Sequence, residues 1–173
     1  MSPPDRTRQS VRTKRAAEPP RAEPATAKFN LAEKPGFLFR RLDTWATLLY
    51  QKHTGQSEIT PRQFGVLLTL YQNGRMTQAE VSKAMFFDKS TLGEMVQRMV
   101  DRGLVRRRIP DSDRRTAELW LSDVGVRTLT RSIPQADAAQ EELLTPLPPE
   151  YRALFLKCLR ILADASMGDA ETS

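Results

Sequence analysis

Cysteine and histidine are nearly absent from this chain of 173 residues, which has one of each, Cys158 and His53. A single cysteine excludes an intramolecular disulfide framework and a cysteine-based zinc site, and a single histidine excludes metal clusters that need several imidazoles. We therefore predict no metal and no cofactor. Because the chain also lacks a glycine-rich phosphate loop and a Ser-His-Asp spacing, we predict that it is not an enzyme.

Long hydrophobic runs are lacking as well. No apolar stretch approaches the roughly 18 residues that a membrane-spanning helix needs. The basic N-terminus has no apolar core of the kind that marks a secretory signal. Together with the single cysteine, these absences predict a cytoplasmic protein in a reducing compartment, without a membrane partner.

Positive charge, in contrast, is in excess and unevenly distributed. The formal net charge is +6. Residues 1–34 carry eight basic and four acidic side chains, residues 61–121 carry eleven and seven, and residues 122–173 carry five and eight. A basic head and a basic middle against an acidic tail indicate that the basic part binds a polyanion.

Residues 1–34 form a basic, proline-rich arm with five of the twelve prolines and few large apolar side chains. Such a segment cannot bury enough surface to offset the entropy lost on ordering, so we predict that it is largely disordered. Its cations either contact DNA phosphates or only keep the arm solvated. A short disordered tail is expected at residues 167–173.

Three helices with clear start signals occupy the middle of the chain, after a first helix within residues 35–60. TPRQ at 60–63 combines an N-cap, a proline in the first turn and a capping-box glutamine, and TQAE at 77–80 is a second capping box. Asp88 caps the third helix, whose apolar residues have amphipathic spacing. Gly103 ends that helix.

Two β-rich blocks at 104–109 and 116–121 flank a charged turn and predict a hairpin. Two short helices followed by such a hairpin form a winged helix-turn-helix. We therefore predict a mainly α fold, with a winged helix-turn-helix domain at 61–121 that has a two-stranded β-wing. The helix at 35–60 and C-terminal helices at 122–166 would form a dimerisation region, with Pro134 kinking or splitting the first C-terminal helix.

Polar residues on the third helix and on the wing are the candidate DNA contacts. The first residues of a recognition helix reach base edges in the major groove, and arginines at a wing tip suit the minor groove. The predicted contacts with double-stranded DNA are Thr77, Gln78, Lys89, Ser90, Thr91, Glu94, Gln97, Arg98, Arg107, Arg114 and Arg115. A protein-binding winged helix is the alternative, but the positive charge of residues 61–121 favours DNA.

Three segments are specific in combination: ITPRQFGVLLTLYQNGRMTQAEVSKAM, DKSTLGEMVQRMVDRGLVRRR and DSDRRTAELWLSDVG. Through them the chain resembles the MarR family of transcriptional regulators over about residues 35–163. The resemblance implies a two-fold homodimer, held by the first, fifth and sixth helices, with each recognition helix in one half-site. Glu94 departs from the basic residue of many relatives, which favours acceptance from a cytosine amine over phosphate binding.

Apolar stripes on the terminal helices support dimerisation independently of the resemblance. A three-helix winged domain cannot cover the first helix and both C-terminal helices, so a second copy is needed. The predicted interface residues are Leu38, Leu42, Leu143, Leu154, Phe155, Leu159 and Leu162. Two-fold symmetry then predicts a near-palindromic operator.

A small aromatic acid is the expected effector, because the resemblance implies a regulator that loses DNA affinity on binding such a ligand. The candidate effector residues are Arg40, Arg41, Trp45, Tyr50, His53 and Phe64. An arginine would pair with the carboxylate, and an aromatic side chain would stack on the ring. Alternatively, Trp45 lies in the core or the dimer interface, the arginines are solvated or paired, and His53 caps its helix.

The predicted function is thus a homodimeric repressor that a small aromatic acid releases from its operator. One alternative is an effector-independent architectural DNA-binding protein, and another is a redox-responsive regulator that uses Cys158. Because Cys158 shares an apolar stripe with Leu154 and Leu162, we expect it to be buried and unreactive.

Overall fold

A computed structural model describes residues 29–55, 59–110 and 116–170, with side chains up to residue 165. The chain divides after Leu38 into two units. In the first unit, Asn30 caps a short 3-10 helix, Leu31–Glu33, by accepting a hydrogen bond from the Ala32 amide at 3.2 Å. Arg114 and Arg115 of the predicted wing tip lie outside the described residues.

Helices dominate the described residues, as predicted. The elements follow in the order α1 (Pro35–Thr54), α2 (Pro61–Asn73), β1 (Met76–Thr77), α3 (Gln78–Met85), α4 (Lys89–Asp101), β2 (Val105–Arg108), β3 (Glu118–Leu121), α5 (Asp123–Leu144) and α6 (Pro149–Ala170). Helices α3 and α4 with the strands around them form a winged helix-turn-helix, which confirms the predicted fold class.

The sheet of the wing has three antiparallel strands, in the order β1-β3-β2, rather than the predicted two. The extra strand, β1, has two residues and pairs Met76 with Leu119. Two residues are too few to show the alternation that marks a strand, and the second of them also caps α3. In the β2–β3 ladder, Arg107 lies opposite Leu119 and Arg106 opposite Trp120.

Side-chain caps start three of these helices at the predicted residues. Thr60 Oγ1 accepts from the Gln63 amide at 3.2 Å, while Gln63 Oε1 accepts from the Thr60 amide at 3.1 Å. The same reciprocal box joins Thr77 and Glu80 at the start of α3. These caps satisfy amides that the first helical turn leaves without partners, which is why the starts are readable locally.

Two hydrophobic clusters hold the helices together. The larger one fills the winged domain and consists of Ile59, Val66, Leu67, Leu70, Val81, Leu92, Met95, Val96, Met99, Leu104, Val105, Leu119 and Leu129. The smaller one joins α1 to α5 through Leu49, Tyr50, Ala136 and Ala139, with Trp45, Phe64 and Leu143 packed against it. Phe64 packs against both clusters and so links the winged domain to the terminal helices.

The C-terminal helices agree with expectation at one point and differ at another. Of the two predicted effects of Pro134, the split is absent, since the proline lies inside α5, and the kink stays a prediction. The carbonyl that loses its helical partner belongs to Thr130, an exposed residue, so water can bind there instead. Helix α6 continues to Ala170, past the expected end at residue 166. Within the described part of the chain, no helix is long and apolar enough to cross a membrane.

Candidate nucleic-acid interface

Helix α4 presents one apolar and one polar face. Its inner face buries Leu92, Met95, Val96 and Met99 in the larger cluster. Its outer face carries the exposed side chains of Lys89, Ser90, Glu94, Gln97 and Arg98. Five of the predicted DNA contacts therefore share the solvent-facing side of α4, and Thr91 lies half-buried beside them.

The start of α4 is organised by the carboxylate of Asp88. Asp88 Oδ1 accepts from the Ser90 hydroxyl at 2.6 Å and from the Thr91 amide at 2.8 Å. The Ser90 hydroxyl first, and then the Thr91 side chain and amide, hold the pKa of Asp88 well below its usual value. The Ser90 hydroxyl donates its proton to the Asp88 carboxylate, which can only accept. Ser90 can therefore accept a hydrogen bond from DNA, but it must break its bond to Asp88 before it can donate one.

Further along α4, the polar side chains pair with one another. Glu94 Oε2 lies 3.8 Å from Arg98 Nη1. Gln97 Nε2 donates to Asp101 Oδ1 at 2.8 Å, and Gln97 Oε1 accepts from Arg107 Nη1 on β2 at 3.5 Å. Residues 88–102 contain three acidic and three basic side chains, so the helix with its caps is electrically neutral.

Three predicted contacts from separate elements meet in one groove of about 280 Å³ between α3, α4 and the wing. It is lined by Gln78, Ala79, Lys89, Arg107, Thr116 and Ala117. The Gln78 amide donates to the Ala117 carbonyl at 2.9 Å, which ties the start of α3 to the wing. Two cations and a carboxamide around one opening suit an anionic, hydrogen-bonding ligand such as the DNA backbone.

Thr77 is committed to the capping box rather than to the groove. Its hydroxyl donates to Glu80 Oε2 at 2.8 Å and accepts from the Glu80 amide at 3.1 Å. Hydrogen bonds from the Thr77 amide and hydroxyl lower the pKa of Glu80. Contact of the Thr77 side chain with DNA would therefore disturb the start of α3.

The two faces of the wing carry different arginines. Arg107 points toward α4, whereas Arg106 shares the other face with Trp120 because side chains alternate along a strand. On that second face, the Arg75 guanidinium lies 4.3 Å from the centre of the Trp120 ring and 3.2 Å from Glu118 Oε2. Sequence reasoning missed Arg75, because only the β1–β3 pairing brings it beside Trp120.

Comparisons with known proteins decide the family. A model of the MarR family matches residues 57–116. The transcriptional regulator HosA of Escherichia coli O111:H- is 33% identical over 122 residues, which are 68% of this chain and 90% of HosA. This chain belongs to the MarR family. It is a winged helix-turn-helix transcriptional regulator and not an enzyme, as the sequence predicted.

Solved structures of MarR-type regulators have the same fold. PcaV of Streptomyces coelicolor, in complex with its natural ligand, is 32% identical with a TM-score of 0.72, and the match covers 80% of this chain and 97% of PcaV. BpsR of Bordetella bronchiseptica, whose DNA binding 6-hydroxynicotinic acid regulates, is 25% identical with a TM-score of 0.73, covering 79% and 98%.

The predicted dimer residues of this MarR-family chain lie on exposed or half-exposed surface. Leu42, Leu143, Phe155 and Leu159 line an apolar cavity of about 410 Å³ between α1, α5 and α6, together with Trp45. Leu154 and Leu162 are more than half exposed, and Leu38 on α1 is 40% exposed. These side chains keep apolar surface that the described part of the chain leaves uncovered.

The candidate effector residues occupy three different places. Trp45 lines the apolar cavity, and the rings of Tyr50 and Phe64 meet at 6.1 Å in the smaller cluster. His53 Nε2 lies 2.7 Å from Glu142 Oε2. Arg40 and Arg41 are exposed on α1.

Glu142 was missed because it lies 89 residues from His53 in the sequence. Lys52 Nζ donates to its two carboxylate oxygens at 2.6 and 2.8 Å. The hydrogen bond from Lys52, and then the one from His53, lowers the pKa of Glu142. The Glu142 carboxylate therefore joins the end of α1 to α5. It is already hydrogen-bonded to the His53 imidazole, which was predicted to bind a ligand.

Cys158 contradicts the expectation of burial, because it is exposed in the single chain. It does share a helix face with Leu154 and Leu162, and all three side chains are exposed among the residues that the structure describes.

Proposed function

We propose that this MarR-family regulator is a homodimeric repressor that binds a near-palindromic operator and leaves it on binding a small aromatic acid. The observation that carries the proposal is the exposure of α6. Within its described residues, Pro149 to Ala165, no side chain is buried. Leu154, Ile161 and Leu162 are 58%, 59% and 55% exposed.

A second copy is the occupant that best suits this surface. A helix gains most of its stability from packing its apolar face, and α6 has little packing within its own chain. A contiguous apolar surface of this kind marks a protein–protein interface. The predicted interface residues Leu42, Leu143, Phe155 and Leu159 surround the adjoining cavity, which continues the same surface.

The operator would be bound by the polar face of α4 and by the groove beside it. Lys89, Gln78 and Arg107 would hold the backbone, while Ser90, Thr91, Gln97 and Arg98 would face base edges. Glu94 would accept from a cytosine amine, provided that Arg98 turns away from it. The wing-tip residues Arg114 and Arg115 are proposed to enter the minor groove, and Thr77 to contribute only through its cap.

The effector would bind on the α1 side of the smaller cluster. Trp45, Tyr50 and Phe64 supply aromatic surface there, which suits a planar ring. His53 lies at the same end of α1 and could exchange the Glu142 carboxylate for that of the ligand. Arg41, one turn before Trp45 on α1, could supply a second cation and Arg40 an alternative one. The regulation of BpsR by 6-hydroxynicotinic acid supports this class of ligand.

The test combines three measurements on the full chain. Sedimentation equilibrium should show a dimer. Fluorescence anisotropy should show tight binding to a duplex that the protein enriches from a random-sequence pool. Among aromatic carboxylates, at least one should raise the Tm and weaken DNA binding, because a ligand stabilises the state that it binds. Monomeric protein would contradict the dimer, and no Tm shift across the panel would favour an effector-independent architectural protein.

A further inference from the structure

The turn between α3 and α4 contains an unusual backbone conformation. Phe86, directly after α3, has φ 53° and ψ 36°, the left-handed region. Among the residues that the structure describes, it is the only one other than glycine with a positive φ. A bulky side chain is rare in this region because its β-carbon crowds the backbone, so such a residue points to a function.

Hydrogen bonds hold this turn in a Schellman motif, the helix end at which glycine is preferred. The Phe86 amide donates to the Lys83 carbonyl at 3.3 Å, and the Phe87 amide donates to the Ser82 carbonyl at 3.1 Å. The Ser82 hydroxyl, in turn, donates to the Phe87 carbonyl at 2.6 Å. The backbone therefore imposes a left-handed residue here, and phenylalanine is a poor choice for it.

Burial does not explain the phenylalanine either. The side chain of Phe86 is 55% exposed. Its neighbour Phe87 packs against the larger cluster, with the Arg62 guanidinium 5.7 Å from its ring centre. Phe87 thus supports the core. Phe86, in contrast, is mostly exposed to solvent, and it occupies a backbone position at which glycine would be more favourable.

The position of the ring suggests its partner. Phe86 precedes the Asp88 cap by two residues, and the first residues of α4 are those that a recognition helix brings to base edges. Lys83 and Lys89 flank the turn in sequence and attract phosphates. An apolar ring between them suits the apolar parts of DNA, which are thymine methyl groups and deoxyribose carbons.

We propose that Phe86 contacts the operator through its ring and adds apolar recognition to the polar contacts of α4. This inference rests on the proposed operator binding, but it makes a separate prediction. A residue kept for stability would lower the Tm when it is replaced by glycine. A residue kept for DNA contact at the expense of a favourable turn would raise the Tm and weaken binding.

The experiment measures Tm and DNA affinity of the full chain with the duplex that the wild-type protein enriches from a random-sequence pool. Phe86→Gly should raise the Tm by about 2 °C, because it relieves the left-handed conformation. It should weaken binding by about 5- to 20-fold, the loss of one good contact. Phe86→Tyr keeps the ring and should bind within about twofold of wild type. Tyr71→Ala is the matched control, since Tyr71 is 59% exposed on α2, and it should leave affinity unchanged.

Replacing thymine by uracil in the duplex separates the two apolar targets. If the ring meets a methyl group, uracil weakens wild-type binding and has no further effect on Phe86→Gly; if it meets deoxyribose, uracil changes neither. The proposal would be overturned if the Phe86→Gly variant bound the duplex with wild-type affinity. It would also be overturned if this variant no longer formed a dimer, because the ring would then belong to the protein interface. If the wild-type chain enriches no duplex, operator binding itself fails, and the proposal with it.

Discussion

Helices α4 and α6 both carry an apolar stripe, but they use it differently. The stripe of α4 is buried in its own chain, with Leu92, Val96 and Met99 fully inaccessible. The stripe of α6 stays open, with Leu154, Ile161 and Leu162 each more than half exposed. The core of the winged domain is therefore covered within one chain, whereas the apolar face of the terminal helix is left open for the second copy that we propose.

The contrast extends to charge. Helix α4 with its caps is neutral, and its Glu94 carboxylate lies 3.8 Å from the Arg98 guanidinium. The net positive charge of residues 61–121 comes in equal parts from residues 61–87 and from the wing segment at 103–121, which carries five arginines. We infer that α4 supplies most of the sequence preference and the wing most of the salt-dependent affinity.

The largest expected effect would break this contrast at α6. Leu154→Glu places a charge in the proposed dimer interface and should yield a monomer whose winged domain is still folded. Operator affinity should fall by about 100-fold, because a single half-site loses the advantage of linked binding. Sedimentation equilibrium and fluorescence anisotropy provide the readout. Lys157→Glu, a charge change on the same helix, is the control, and a dimeric Leu154→Glu protein would refute the assignment.

A core truncation in α4 sharpens the same comparison. Leu92→Ala should destabilise the protein by about 3 kcal/mol, because the cavity it leaves cannot fully close. The loss should be independent of protein concentration if the winged domain is complete in one chain. Leu162→Ala should instead lower the Tm only at concentrations at which the wild-type protein is dimeric, since dimerisation is linked to folding. Thermal unfolding at several concentrations distinguishes the two, and equal behaviour would contradict the distinction.

The division between helix and wing is tested by a smaller effect. Arg107→Ala should weaken operator binding by about tenfold and reduce the slope of log affinity against log salt by about one. Thr91→Ala should change which bases are preferred and leave the salt slope intact. Arg106→Ala, on the opposite face of β2, should change the slope less. An unaltered slope in Arg107→Ala would show that this side chain makes no phosphate contact.

The smallest effect concerns the joint between α1 and α5. The pKa of Glu142 lies below its ordinary value of 4.5 because Lys52 and His53 donate to the carboxylate. Its contribution to stability is therefore complete above about pH 4.5 and is lost as the pH falls through the lower, folded-state pKa. In the Glu142→Gln variant, the Tm should therefore decrease less steeply as the pH is lowered below about 4.5. Glu141→Gln, one residue away and exposed, is the control; equal slopes in both variants would remove the role of Glu142.

Sequence reasoning succeeded wherever the cause is local. A cap needs only residues three positions apart, so the boxes at Thr60 and Thr77 and the Asp88 cap could be read from single segments. The spacing of Leu92, Val96 and Met99 likewise predicted their burial. Strand β1 was missed because its two residues become a strand only when β3 lies beside them.

The chain's own residue order thus determined the helices, their starts, the hairpin and the separation of charge, because propensities and caps act over a few residues. Tertiary structure alone decided that Glu142 holds His53, that Arg75 lies over Trp120 and that Gln78, Lys89 and Arg107 share a groove. It also left Cys158 exposed where an apolar stripe suggested burial. The physical reason is the same throughout: a periodic pattern shows which face of an element is apolar, but contacts between distant segments decide what covers that face.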